Sequence, residues 1–185
     1  MTEMTAPWEA VLDFWFGPGM EERWFRKDPA FDAEVRASLL PHLEAATAGR
    51  YDDWLEAPRG TLALVILLDQ VPRNLYRDDP RAFAQDAAAL RLARQAVDRG
   101  QDRALSEVER LFLYLPFEHS ESLADQEDCV RLVSALDGKP EWRDYSIKHR
   151  DVIARFGRFP HRNAALGRES TAEEEAFLEQ PGSSF

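Results

Sequence analysis

Four short stretches carry side chains able to move protons or hold anions. In LLDQVPRNLYR, Asp69, Gln70, Arg73 and Asn74 follow nine residues without a charge. An aspartate near the C-terminal end of an apolar helix opposes the helix dipole and needs a partner. Arg73, four residues on, is one, and the Asp69–Arg73 pair reads either as a lock or as part of a site. On the second reading Arg73 and Asn74 open the next helix and present donors to a ligand. In PFEHSESLADQ, His119 and Glu121 are proton-transfer types at a helix junction, and Ser120 or Ser122 suits a helix cap. His149, in YSIKHRDVIARF, has Tyr145, Val152, Ile153 and Phe156 at helical spacing, so it faces inward. It reads as a core histidine or as an inward-facing base.

RFGRFPHRN is the fourth stretch. Gly157 ends a helix, Phe159 is extended because Pro160 follows it, and His161, Arg162 and Asn163 fall in the first turn after Pro160. Arg158 and Arg162 there offer guanidinium forks beside free backbone N–H groups, a combination that binds anions. The competing reading pairs these arginines with internal carboxylates such as Asp69 or Glu121. If the four stretches converge, Gln70, Arg73, Asn74, Arg158, Arg162 and Asn163 bind a small anionic metabolite. His119, His149 or His161 then moves a proton, with Asp69 or Glu121 orienting it. No short ligand spacing such as H-E-x-x-H occurs, so no metal site is expected, and the sequence names no cofactor.

These residues need helices to position them. Pro7 with WEAVLDFWF and a stop at Gly17, Asp28–Pro29 leading to Gly49, and Pro58 ahead of an apolar run all give helical punctuation. The run Leu62–Leu68 alone fits a buried strand, but its Leu and Ala content and proline start favour a central helix, ending near Val71 because of Pro72. Pro41 should kink or divide its segment. PRAFAQDAAALRLARQAVDRG reads as one helix ending at Gly100, and Ser106 with Glu109 forms a capping box. Further helices are expected over 121–136 and 141–156. A last one starts at Ser170 or Thr171. No stretch alternates at period two, so the expected class is all-α, built from antiparallel helical hairpins, with one domain over residues 1–180 and a tail at 181–185.

Composition limits the partners. A net charge of −11 argues against nucleic-acid binding, although residues 143–168 hold seven basic side chains against two acidic ones. The apolar runs are too short to span a membrane, and no signal-peptide pattern opens the chain, so a cytoplasmic location is expected. Cys129, the single cysteine, reads as a small buried hydrophobe rather than a nucleophile. Trp15, Trp24 and Phe25 are available to a partner or a homodimer, with core packing as the other use.

VLDFWFG, LALVILLDQVPRNLYRDDPRAFAQD, RLFLYLPFEHSESLADQ and HRDVIARFGRFPHRNAALGRESTAEEEAFL together resemble the bacterial family catalogued as domain of unknown function 924. The resemblance runs from about residue 10 to 178. It implies an all-helical, tetratricopeptide-like fold and brings neither an activity nor catalytic residues. Val71 stands where that pattern has an aromatic, and Glu118 where it has an apolar residue, both expected to lie apart from the polar positions. Two functions follow: a small-anion site, with hydrolysis as its reaction, or a peptide-binding interaction module without catalysis.

Overall fold

In a computed structural model, which describes residues 6–185, the described residues form eight α-helices, four of whose connections contain a short 3-10 turn, and no strand. The order is α1 (Glu9–Trp15), α2 (Pro29–Thr47), α3 (Pro58–Leu75), α4 (Asp86–Asp98), α5 (Glu107–Glu118), α6 (Leu123–Ser134), α7 (Pro140–Phe156) and α8 (Ala172–Leu178). Every residue of α3 from Gly60 to Pro72 is buried, because α3 packs on α1, α2, α4 and α5 at once. A helix segment surrounded on all sides must be apolar all round, which explains the uncharged stretch Gly60–Leu68 in its middle. α6 packs between α5 and α7, and α8 rests on the 3-10 turn Pro160–Arg162.

Local signals set most of the boundaries. The Asp28 carboxylate accepts from the backbone N–H of Ala30 and Phe31 and starts α2. Ser106 with Glu109 and Thr171 with Glu174 form complete capping boxes at the starts of α5 and α8. Gly157 stops α7 at φ 70°, a backbone setting that favours glycine. Arg59 ties α3 to two neighbours, with Nε 3.0 Å from Glu9 and Nη1 donating to Glu109.

Three expectations change. α3 runs through Pro72 to Leu75, and α2 runs through Pro41 to Thr47. Proline's cost inside a helix is local, about 3 kcal/mol. For α3 it is outweighed by burial of the helix on four neighbours, each large apolar side chain contributing roughly 1.5–3 kcal/mol. The segment beginning at Pro80 divides into a 3-10 turn, Pro80–Phe83, capped by Asp79, and α4, which begins only at Asp86. Of the N-terminal aromatics, Trp15 is completely buried and takes the core-packing use, while Phe25 is 65% exposed.

The apolar interior has two parts. The larger spans α1 to α6; the smaller gathers Val152, Ile153 and Phe159, with Phe156 and Phe177 against them. Polar side chains concentrate at the seam between them. No helix among the described residues is long and apolar enough to cross a membrane.

Candidate functional site

The C-terminal ends of α3 and α5 meet at this seam. Asp69, fully buried, is 2.7 Å from His119 Nδ1, accepts from Gln70 Nε2 at 2.6 Å, and lies 3.4 Å from Arg73. Burial alone would raise the Asp69 carboxyl. The cationic Arg73 and the hydrogen bonds from His119 and Gln70 overcome it and hold Asp69 below the usual carboxylate range. Burial and Arg73 push the His119 imidazole down, so it is neutral near pH 7 and donates Nδ1–H to the carboxylate. Its Nε2 makes no hydrogen bond with the described residues, and the side chain is 14% exposed. A carboxylate-oriented neutral imidazole with a free Nε2 is the arrangement of a general base.

Asp86, at the start of α4, accepts two bonds from Arg73, at 2.8 and 2.9 Å. The same carboxylate is 3.4 Å from Arg162 Nη1. Arg162 Nη2 donates to the His119 carbonyl at 2.9 Å, its guanidinium lies 4.6 Å from the ring centres of both Phe83 and Phe159, and its Nε is buried without a partner. Burial and the nearby Arg73 charge lower Arg162 to about 10. The two guanidinium groups are therefore unequal: Arg73 holds the Asp86 carboxylate with two short bonds, and Arg162 reaches it only at 3.4 Å with its buried Nε unpartnered.

The imidazoles of α7 and the 160–162 turn complete the cluster. His149 donates Nδ1–H to the Tyr145 carbonyl at 2.8 Å and stands 3.6 Å from Glu118. It is buried as expected, although the Tyr145 side chain itself is 55% exposed. His161 has a buried Nδ1 with no partner. Burial, helped by neighbouring cationic Arg162, pushes both His149 and His161 down to about 3. Glu118, which the sequence pattern placed apart from the polar positions, faces His149 and lies 3.9 Å from the Cys129 thiol. Burial, with Asp69 adding to it, raises the Glu118 carboxyl to about 8, so it keeps its proton near neutrality.

Asp69, Gln70, Arg73, His119 and Arg162 thus meet directly, with His149 and His161 at their edge. Other expected residues go elsewhere. Asn74 and Arg73 do not open a new helix; they lie in the last turn of α3, where Asn74 donates to Asp32 at 2.8 Å. Arg158 is paired with Glu174, and Asn163 bonds Ser170 and Glu174. Arg168 clasps Glu121 at 2.8 and 2.9 Å, and the Phe159 N–H donates to the same carboxylate. These last residues fasten the turn after α7 to its surroundings. Ser122 occupies the cap position of α6 without a side-chain bond, and Ser120 donates to Asp125.

Asp86, Glu118 and Phe159 were absent from the sequence-based set. Asp86 looked like an ordinary charge on an amphipathic helix; Glu118, ending the apolar run LFLYLPF, carried a readable signal. Phe185 was expected in a tail. Its ring lies tilted 4.0 Å from His149, 5.7 Å from His161 and 6.0 Å from Phe159, centre to centre. Two open depressions lie away from the seam, one of about 350 Å³ between Phe16, Trp24, Lys139 and Trp142, the other of about 400 Å³ along α4. No group of three or more His, Cys, Asp or Glu side chains among the described residues is placed to hold a metal ion.

An all-helical protein with an acid–base and guanidinium cluster between two cores is the class that this geometry defines. Residues 11–182 match the family described as bacterial protein of unknown function (DUF924), and the chain belongs to that family. It is similar to a solved structure of a protein of unknown function from Agrobacterium tumefaciens, at 42% identity and a TM-score of 0.88, covering 93% of this chain and 96% of that one. No curated protein matches the sequence.

Proposed function

We propose that the seam binds a small anion at Arg162 and that His119 performs general-base chemistry on it, with hydrolysis of an anionic metabolite as the reaction. The observation that carries this reading is the incomplete pairing of Arg162. It is 94% buried, one of its N–H groups has no acceptor, and the carboxylate it approaches already serves Arg73. A buried cation with unused donors favours an added anion. His119 supports the chemistry: a water gives its proton to Nε2 as the water oxygen attacks the acyl or phosphoryl centre. The imidazolium, steadied by Asp69, then returns that proton to the departing oxygen.

A peptide-binding, tetratricopeptide-like module is the second reading. It is favoured by the depression beside Phe16, Trp24 and Trp142 and by the exposed Phe25 on the same side, stacked 5.8 Å from Phe112.

Calorimetry with inorganic phosphate tests the binding, and hydrolysis of p-nitrophenyl phosphate and p-nitrophenyl acetate tests the chemistry. Arg162→Gln should weaken phosphate by about tenfold or more, the loss of one charge-assisted contact. His119→Gln should retain binding and lower the hydrolysis rate by about 10²–10⁴. Equal phosphate affinity in wild type and Arg162→Gln would remove the anion site. Equal hydrolysis in wild type and His119→Gln would remove the base.

A further inference from the structure

We infer that the slot between His149, Phe159 and His161 receives the aromatic group of the anionic ligand, and that Phe185 occupies this slot when no ligand is bound. The inference rests on the anion site at Arg162 and names the ligand class for it: an aryl-bearing phosphate or carboxylate.

Three rings form the slot independently of Phe185. His149 and Phe159 meet at 5.7 Å with planes 76° apart, and Phe159 and His161 meet at 5.6 Å and 49°. Edge-to-face and tilted arrangements at these separations are the favourable geometries for aromatic rings. Phe185 adds a fourth ring, nearest to His149 at 4.0 Å. Its own side is 41% exposed, so it covers the slot from outside instead of forming part of a closed core. The segment is held just before it, where Ser183 is buried and donates to the Leu178 carbonyl at 3.0 Å. Phe185 can therefore leave without disturbing α8.

The slot adjoins the anion-binding groups through shared residues. Phe159 contacts both Phe185 and the Arg162 guanidinium, at 6.0 and 4.6 Å. His161 contacts Phe185 and carries a buried Nδ1 without a partner, next in sequence to Arg162 with its unpartnered Nε. A ring placed where Phe185 sits thus lies against the His161 imidazole and on Phe159, whose ring also carries the Arg162 guanidinium. A plain hydrophobic closure would leave the buried His161 and Arg162 nitrogens unsatisfied, whereas an anionic group attached to the ring and reaching past Phe159 supplies an acceptor for the guanidinium.

Three probes separate the parts: phenyl phosphate, inorganic phosphate and the neutral ring benzyl alcohol, each titrated into wild type and Phe185→Ala. Phe185→Ala should bind phenyl phosphate about tenfold tighter, because the competing ring is gone. It should also bind benzyl alcohol while inorganic phosphate is unchanged. Contacts between the bound ring's protons and the His149 and His161 imidazole protons, observed by NMR in Phe185→Ala, locate the ring. If inorganic phosphate binds both proteins yet phenyl phosphate gains nothing from Phe185→Ala, the aromatic slot is wrong and the anion site stands. Absence of phosphate binding in both proteins, with benzyl alcohol still favouring Phe185→Ala, overturns the anion site and with it the aryl-anion class. Retained tight phenyl phosphate binding whose ring protons touch neither imidazole also overturns the slot.

Discussion

Arg73 and Arg162 have the same chemistry and opposite situations. Removing Arg73 takes both strong bonds from Asp86 and leaves buried Asp69 without its guanidinium. Arg73→Ala should destabilise by about 3–5 kcal/mol, the range for an orphaned buried charge. Removing Arg162 leaves Asp86 still paired with Arg73, so Arg162→Ala should cost only about 1–2 kcal/mol for the lost bond to the His119 carbonyl and its contacts. Urea unfolding of the two variants checks the contrast, and equal losses would refute the division of roles. The sequence placed Asp69, Arg73, His119 and Arg162 among the candidates because each interrupts apolar surroundings. It could not assign partners, since Arg73 finds Asp86 and not Asp69 as its best acceptor. That choice depends on where α4 begins, which is set by packing and the Asp79-capped turn before it.

At the scale of the elements, boundaries written in capping residues were the most legible. The Ser106–Glu109 box at the start of α5 was visible as a spacing and is present in full. Ser106→Ala should lower stability by about 1 kcal/mol with the fold unchanged, measurable as a shift in the denaturant midpoint at constant m-value. An unchanged midpoint would show that α5 needs no such start. What the sequence obscured was the path of α3 through Pro72. A local rule against helix before proline lost to burial on four sides, and burial is a property of the assembled helices. This misplacement also sent Asn74 to the wrong place, since the continued helix turns it toward Asp32 on α2. The turn 157–163 shows both outcomes: its helix stop at Gly157 was legible, while the partners of Arg158, Asn163 and Glu121 depended on α8 and Arg168.

For the whole molecule, the seam links proton binding to stability. Glu118, at about 8, keeps a proton that an unfolded glutamate near 4.5 has released. The folded state therefore holds the extra proton, and this contribution declines as pH rises toward 8. His149 and His161, at about 3, refuse protons that unfolded imidazoles accept below about 6.5, so their contribution declines as pH falls from 6.5 toward 3. The combined contribution peaks near pH 6.5. Above that, Glu118 alone imposes a slope of at most about 1.4 kcal/mol per pH unit. Glu118→Gln should flatten the fall between pH 6.5 and 8 in chemical denaturation, and a slope identical to wild type would place the responsible group elsewhere.

Phosphate added to crystals of the intact protein gives the most direct test of the central claim, that the buried Arg162 lacks an acceptor which a guest anion supplies. The account predicts ordered density within hydrogen-bonding reach of Arg162 Nε and close to His119 Nε2. Density confined to surface arginines, or an empty seam at saturating phosphate, would contradict it.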